Sequence, residues 1–172
     1  MKWNEIPSFT ECRSINPFSY GFLSYVDYIE NEIEKYHLEM NPDFQRGHIW
    51  TEDQQSKYIE FMLRGGKTGR DFYFNWNQVT NEYVCVDGLQ RTTALQKFVH
   101  NELKVFGQYF DEFEFPKRKI EYATSKYGCY VYQNNLKTKK EVLQWYVDMN
   151  AGGTPHTNEE IERVKKMIKE IE

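Results

Sequence analysis

Asp87-Gly88-Leu89-Gln90-Arg91-Thr92-Thr93 gathers a carboxylate, an amide, a guanidinium and two hydroxyls into seven residues. It follows the strand-like run Tyr83-Val84-Cys85-Val86 and leads into the helix-like run Ala94 to Val99. A strand that turns at glycine into a helix makes an anion site. The first helical N–H groups lack partners within the helix, the helix dipole is positive there, and an arginine can grip two phosphate oxygens at once. Arg91, Gln90 and the backbone after Gly88 are therefore the expected phosphate holders. Cations are disfavoured at that end of a helix, so Arg91 has little structural reason to be there. Thr92 and Thr93 cap the helix, contact phosphate, or do both. Asp87 either holds a metal ion and orients water, or caps its own turn.

Two more segments are polar or glycine-rich amid apolar sequence: Asn41 to Trp50, and Asp148 to Thr157. If all three loops converge, their arginines, carboxylates, amides, histidine and backbone N–H groups suit a polyphosphate with a divalent cation, Mg2+ being the natural choice. Gln45 and Arg46 would either line that site or brace it. Asn150, Gly152 and Gly153 would bring backbone close to a ligand, with Pro155 stiffening the exit. His156 has the pKa range for proton transfer, against the commoner role of a hydrogen-bonded structural histidine. Elsewhere, Lys117, Arg118, Lys119 and Lys126 alternate with tyrosines in a basic stretch from Pro116 to Lys140. Such a stretch either holds DNA phosphates and stacks bases or is a solvated face.

The elements that must position these residues follow from periodicity and caps. Phe22, Tyr25, Val26, Ile29 and Ile33 recur at helical spacing, which predicts a helix over about 21–35, after an irregular arm over residues 1–20. His37 to Met40 alternates like a short strand. Thr51-x-x-Gln54 is a capping-box signature for a helix that Gly65-Gly66 ends. Asp71 to Trp76 and Glu82 to Val86 read as strands around the turn Asn77 to Asn81, and a helix starts near Thr92. Leu103 to Phe106 and Cys129 to Tyr132 are strand-like. Two more capping boxes, Thr138-x-x-Glu141 and Thr157-x-x-Glu160, open helices toward the C-terminus. The mixed order predicts a single α+β or α/β domain over 21–172.

Composition narrows the class. The 172 residues, 40% hydrophobic and 17% aromatic, suffice for one sizeable core. No run approaches the roughly 20 apolar residues of a membrane span, and Met1 to Glu5 lacks an apolar signal, so a cytoplasmic protein with no membrane partner is expected. Cys12, Cys85 and Cys129 form no metal-ligand or disulfide pattern, and Cys85 reads as a small core residue. A net charge of −4 argues against nonspecific coating of nucleic acid.

Taken in order, Asn41-Pro42-Asp43-Phe44-Gln45-Arg46-Gly47-x-x-Trp50, Asp87-Gly88-x-Gln90-Arg91-x-Thr93 and Met149-Asn150-x-Gly152-Gly153-x-Pro155 resemble the GmrS-type N-terminal domain of modification-dependent (type IV) restriction systems, a branch of the ParB/sulfiredoxin-like superfamily. The likeness runs from about Gly21 to the C-terminus. It implies an α+β fold with a small mixed sheet flanked by helices and a helical C-terminal part. It also implies that the Asp87 to Arg91 turn is a nucleotide-phosphate loop, with nucleoside triphosphate hydrolysis accompanying DNA recognition or cleavage. Leu89 stands where sulfiredoxins carry their catalytic cysteine, which removes sulfinic acid repair. Gln90-Arg91 differs from the acidic-arginine pair of ParB-type CTP switches, so selectivity for CTP does not carry over. The nuclease of those restriction systems is a separate C-terminal module that this sequence does not carry, and the resemblance implies a bacterial cell as the setting. There the chain would be a phage or mobile-element protein, or one subunit working with a separate nuclease. The expected activity is weak Mg2+-dependent NTP hydrolysis. The alternatives are a DNA nickase or nuclease using the same groups and a non-enzymatic phage protein that keeps the fold and docks on a host partner.

Overall fold

A computed structural model of the chain describes residues 18–45, 47, 49–114, 124–151 and 158–171. Its order is β1 (Phe18–Gly21), α1 (Phe22–Tyr36), α2 (Glu52–Leu63), β2 (Asp71–Asn77), β3 (Glu82–Asp87), α3 (Leu89–Val99), β4 (Gly128–Asn134), α4 (Lys139–Ala151) and α5 (Asn158–Glu170). The strands form one mixed sheet in the order β1-β4-β2-β3. β2 and β3 make an antiparallel hairpin, β4 runs parallel to β2, and β1 is antiparallel to β4. The fold is α+β, as the order of periodicities implies.

Strand alternation decides which layer covers which face. Phe72, Phe74, Cys85, Cys129 and Val131 point to one side and are buried by Tyr25, Val26 and Ile29 of α1, Ile59 and Met62 of α2, and Leu95 and Phe98 of α3. Val86 points the other way, into a second cluster with Phe44, Val142, Leu143, Trp145 and Val164 from α4 and α5. The sheet thus lies between three helices and two, and the turn after β3 emerges between both layers. Among the described residues no helix is long and apolar enough to cross a membrane.

Several boundaries differ from the sequence reading for identifiable reasons. Phe18 to Tyr20, expected in an irregular arm, pair with β4 as an edge strand, a long-range contact that no local signal encodes. Gly21 then passes so close to Ser125 that a Cβ would lie 2.8 Å from its Cα. His37 to Met40 is not a strand: His37 caps α1 in the left-handed region, and only Glu39 bridges to β3. Leu103 to Phe106 likewise contributes only the bridge between Val105 and Gln108. The capping boxes at Thr51–Gln54 and Thr138–Glu141 form with both reciprocal hydrogen bonds. The one expected at Thr157–Glu160 lies outside the described residues.

Candidate functional site

β3 ends at Asp87, and Gly88 turns the chain with φ 140° and ψ −4°. A Cβ there would sit 2.8 Å from Phe72 Cδ1, so both the backbone angle and the close approach require glycine. The Thr92 N–H donates to the Gly88 carbonyl at 2.9 Å, which starts α3 at Leu89 rather than near Thr92. Leu89, Gln90 and Arg91 therefore occupy the first turn, whose N–H groups have no acceptor within the helix.

That earlier start moves the two threonines inward. Thr92 is fully buried, and its hydroxyl lies 2.7 Å from the Tyr25 hydroxyl, tying α3 to α1. The Thr93 hydroxyl donates to the Leu89 carbonyl at 2.9 Å, one turn back. Neither caps α3, whose N-cap is Gly88 and has no side-chain bond. The Thr92 hydroxyl is thus sequestered from any ligand at the turn.

Arg91 Nη2 lies 2.9 Å from Asp87 Oδ2, so the two residues expected to take phosphate and metal hold each other. The Arg91 side chain is 17% exposed and that of Asp87 32%. The guanidinium also lies over the Phe72 ring, 5.4 Å from its centroid. Burial opposes its charge, but the Asp87 carboxylate beside it outweighs that and holds Arg91 more firmly protonated than usual. The Tyr58 hydroxyl donates to the Gly69 carbonyl at 2.8 Å, and burial pushes its phenol up. Arg91 is therefore a fixed cation held between the Asp87 carboxylate and the Phe72 ring.

The Asn41 to Trp50 loop joins this turn through two amides. Gln45 Nε2 donates to the carbonyls of Cys85 and Val86 at 2.7 and 3.1 Å. Gln90 Oε1 accepts from the N–H groups of Ile49 and Trp50 at 3.0 and 3.1 Å, and its Nε2 donates to the Gly47 carbonyl at 2.8 Å. Both side chains brace. Phe44 is buried edge-on against Tyr146 of α4, and its carbonyl accepts from Arg163 Nη2 of α5 at 2.6 Å. Asp43 pairs with Lys139. Arg163 carries no local sequence signal, and Lys139 reads in sequence only as part of the basic stretch, because nothing local marks a partner so far along the chain.

Two of the three loops therefore meet. α4 and α5, which flank the third, both contact Phe44. Asn150 turns its amide to the Tyr146 carbonyl of its own helix at 2.7 Å. Arg46, Gly152, Gly153 and His156 lie outside the described residues, as do Lys117, Arg118 and Lys119. Lys126 places its ammonium over Tyr127, 5.5 Å from the ring centroid. Next to the turn, Tyr73 pairs with Asp87 across the hairpin and stacks on Tyr132 with centroids 4.8 Å apart.

Burial pushes the Cys85 thiol up to about 12, so at neutral pH it is no nucleophile. No group of three or more His, Cys, Asp or Glu suited to a metal occurs among the described residues. At this turn a single carboxylate, Asp87, is a third exposed and already paired with Arg91, so a cation there would have to draw most of its oxygens from water or from a ligand. A separate groove of about 420 Å³ lies at the far end of β3, between Glu39 and Lys137. Asn75 and Asn77 within it are committed to the backbone of Leu136 and Lys137.

The family model for the GmrSD restriction endonuclease, N-terminal domain, matches residues 27–166, a span that includes all three loops. No curated protein and no solved structure matches the chain. With most of its length matched, the chain belongs to the family of GmrSD restriction endonuclease N-terminal domains.

Proposed function

We propose that the β3–α3 turn binds the phosphates of a nucleoside triphosphate and hydrolyses it slowly, in a restriction-system role directed at DNA. Family membership supports the DNA-related setting. The observation that carries the nucleotide reading is Arg91: a partly buried cation in the first turn of a helix, beside a glycine whose φ and lack of Cβ the backbone requires. Arg91 and the first-turn N–H groups of α3 would hold phosphate oxygens, and the bracing by Gln45 and Gln90 would keep the facing loop in place while they do.

Mg2+, when bound at Asp87, would neutralise charge on the phosphates and lower the pKa of a coordinated water. Arg91 would offset charge that builds on the transferred phosphoryl group, and His156 would move a proton at the attacking water. Lys126, beside β4, is proposed to contact DNA together with Lys117, Arg118 and Lys119.

Titrating the purified protein with each NTP in Mg2+, while measuring both binding and released phosphate, tests this reading. Binding of at least one nucleotide is expected. Arg91→Ala should weaken it roughly 10- to 100-fold, the loss of a charge-assisted hydrogen bond worth about 1.5–3 kcal/mol. No binding, no release and no effect of Arg91→Ala would defeat it.

A further inference from the structure

We infer that the loop between α2 and β2, Arg64 to Arg70, seats a backbone phosphate of DNA, with Arg70 as the group that holds it. The inference rests on the DNA-directed role proposed above and is independent of the nucleotide reading of the β3–α3 turn. Arg70 is only 8% exposed, yet it pairs with no carboxylate among the described residues. Its Nη2 donates to the Met62 carbonyl at 3.3 Å, a long bond to an oxygen that also accepts the Gly65 N–H at 3.0 Å. Nε is enclosed without an acceptor, which leaves Nη1 to meet a ligand. The last carbonyls of α2 offer a negative charge of about half a unit, so they offset the guanidinium only in part. Strand alternation turns Asp71 to the opposite face of the sheet, with Tyr73. A buried cation this short of partners is a place for an anion.

The residues around it select a phosphodiester. Arg64, Lys67 and Thr68 of the same loop are exposed, and no residue from Arg64 to Arg70 is acidic. A phosphodiester has one charge and two free oxygens, enough to engage Nη1 of Arg70 and an exposed donor such as Lys67 or Thr68 together. Its source follows from the sheet. Asp71 of β2 stands opposite Tyr130 of β4 in parallel register, so both strands begin at one end, and the Tyr130 N–H fixes the Arg70 carbonyl there at 2.8 Å. Lys126, just before β4, is therefore at the same end as the loop. Of the residues that begin or end strands there, only Asp71 and Asp87 are acidic, and Asp87 is already paired with Arg91. In a chain of net charge −4, cations spread along one end suit a polyanion better than a free ion. Such contacts hold DNA in place without reading its sequence.

The test titrates a short DNA duplex of random sequence into wild type, Arg70→Met and Lys35→Ala over a range of salt, with thermal melts of each protein alone and in inorganic phosphate. Arg70→Met should bind the duplex about tenfold more weakly, and the slope of log affinity against log salt should shrink by about one, the mark of one lost phosphate contact. Lys35→Ala removes the same charge from the last turn of α1 and should change neither. Without ligand, Arg70→Met should melt no lower than wild type, because an apolar chain replaces an unpaired buried charge. Arg70→Met that melts lower and binds DNA as wild type does would make Arg70 a brace for α2 and overturn the inference, while the DNA-directed role stands. Phosphate that raises the melting point of wild type but not of Arg70→Met, with duplex binding equal in both, would assign the seat to a free ion and overturn it as well. Should Arg70→Met fail to fold, Lys67→Ala decides: duplex binding several-fold weaker with a smaller salt slope supports the seat, and unchanged binding overturns it. Failure of wild type to bind the duplex at low salt would defeat the DNA-directed role, and the inference with it.

Discussion

The amide of Gln90 reaches across 40 to 43 residues of sequence to Gly47, Ile49 and Trp50, satisfying one carbonyl and two N–H groups. Gln45 does the reverse, leaving the loop to reach the last carbonyls of β3. These two side chains turn a strand–helix turn and a distant loop into one rigid wall beside the Asp87–Arg91 pair. Gln90→Ala should strand those three backbone groups and cost about 1–3 kcal/mol of stability. Gln90→Glu should cost less, keeping both acceptor contacts while its carboxylate repels the Gly47 carbonyl. Urea denaturation of the two variants against wild type measures the difference. Equal stability of Gln90→Ala and wild type would mean that the loop is held by Phe44 and Arg163 instead.

Among the elements, α4 carries the buried side chains that cover Val86 and Phe44, so its N-terminus matters to the loop wall. The Thr138 hydroxyl accepts from the Glu141 N–H at 3.2 Å, and Glu141 Oε2 accepts from the N–H groups of Thr138 and Lys137 at 2.9 and 3.0 Å. Thr138→Ala should destabilise by about 1 kcal/mol. The Thr138 hydroxyl first, helped by those N–H groups, holds the Glu141 carboxyl below the usual glutamate range. A depressed folded pKa contributes stability above the ordinary value and loses it as pH falls through the depressed one. The gap between wild type and Thr138→Ala should therefore be full at pH 7 and narrow in acid, which denaturation at several pH values follows. Caps of this kind were legible in sequence because donor and acceptor lie three residues apart, as at Thr51 and Gln54. β1 was not, since Phe18 to Gly21 become a strand only by pairing with β4. Thr92 and Thr93 look like caps and so point to a later start for α3, whereas Gly88 opens the helix and Thr92 belongs to the core. Asp87 and Arg91 were legible as charges at a strand–helix turn. Their mutual pairing waited for the backbone, which brings residues four apart face to face once α3 begins at Leu89.

At the scale of the whole molecule, the aromatic excess is spent mainly on the two faces of one sheet, and much of it carries protons. Burial raises the phenols of Tyr28 and Tyr73 to about 12 and pushes Tyr25, Tyr58 and Tyr83 up as well. It also lifts the thiols of Cys85 and Cys129 to about 12. These groups belong to both layers around the sheet, so ionising them in place would bury unpaired negative charge across the core. In the unfolded chain the thiols titrate at about 8.5 and the phenols at about 10. The folded state thus holds its protons more tightly than the unfolded state. The stability this contributes is complete below the unfolded values and is lost as pH climbs from there toward the folded ones. Thermal midpoints should hold steady up to about pH 8 and then fall through the window from 9 to 12. Absorbance of tyrosinate should rise in step with loss of the far-ultraviolet dichroism, since the buried phenols ionise only when the core opens. Smooth titration of every tyrosine near its free value, with the fold intact, would show that this core is penetrated by water and that the wall behind Arg91 is wetter than its packing implies.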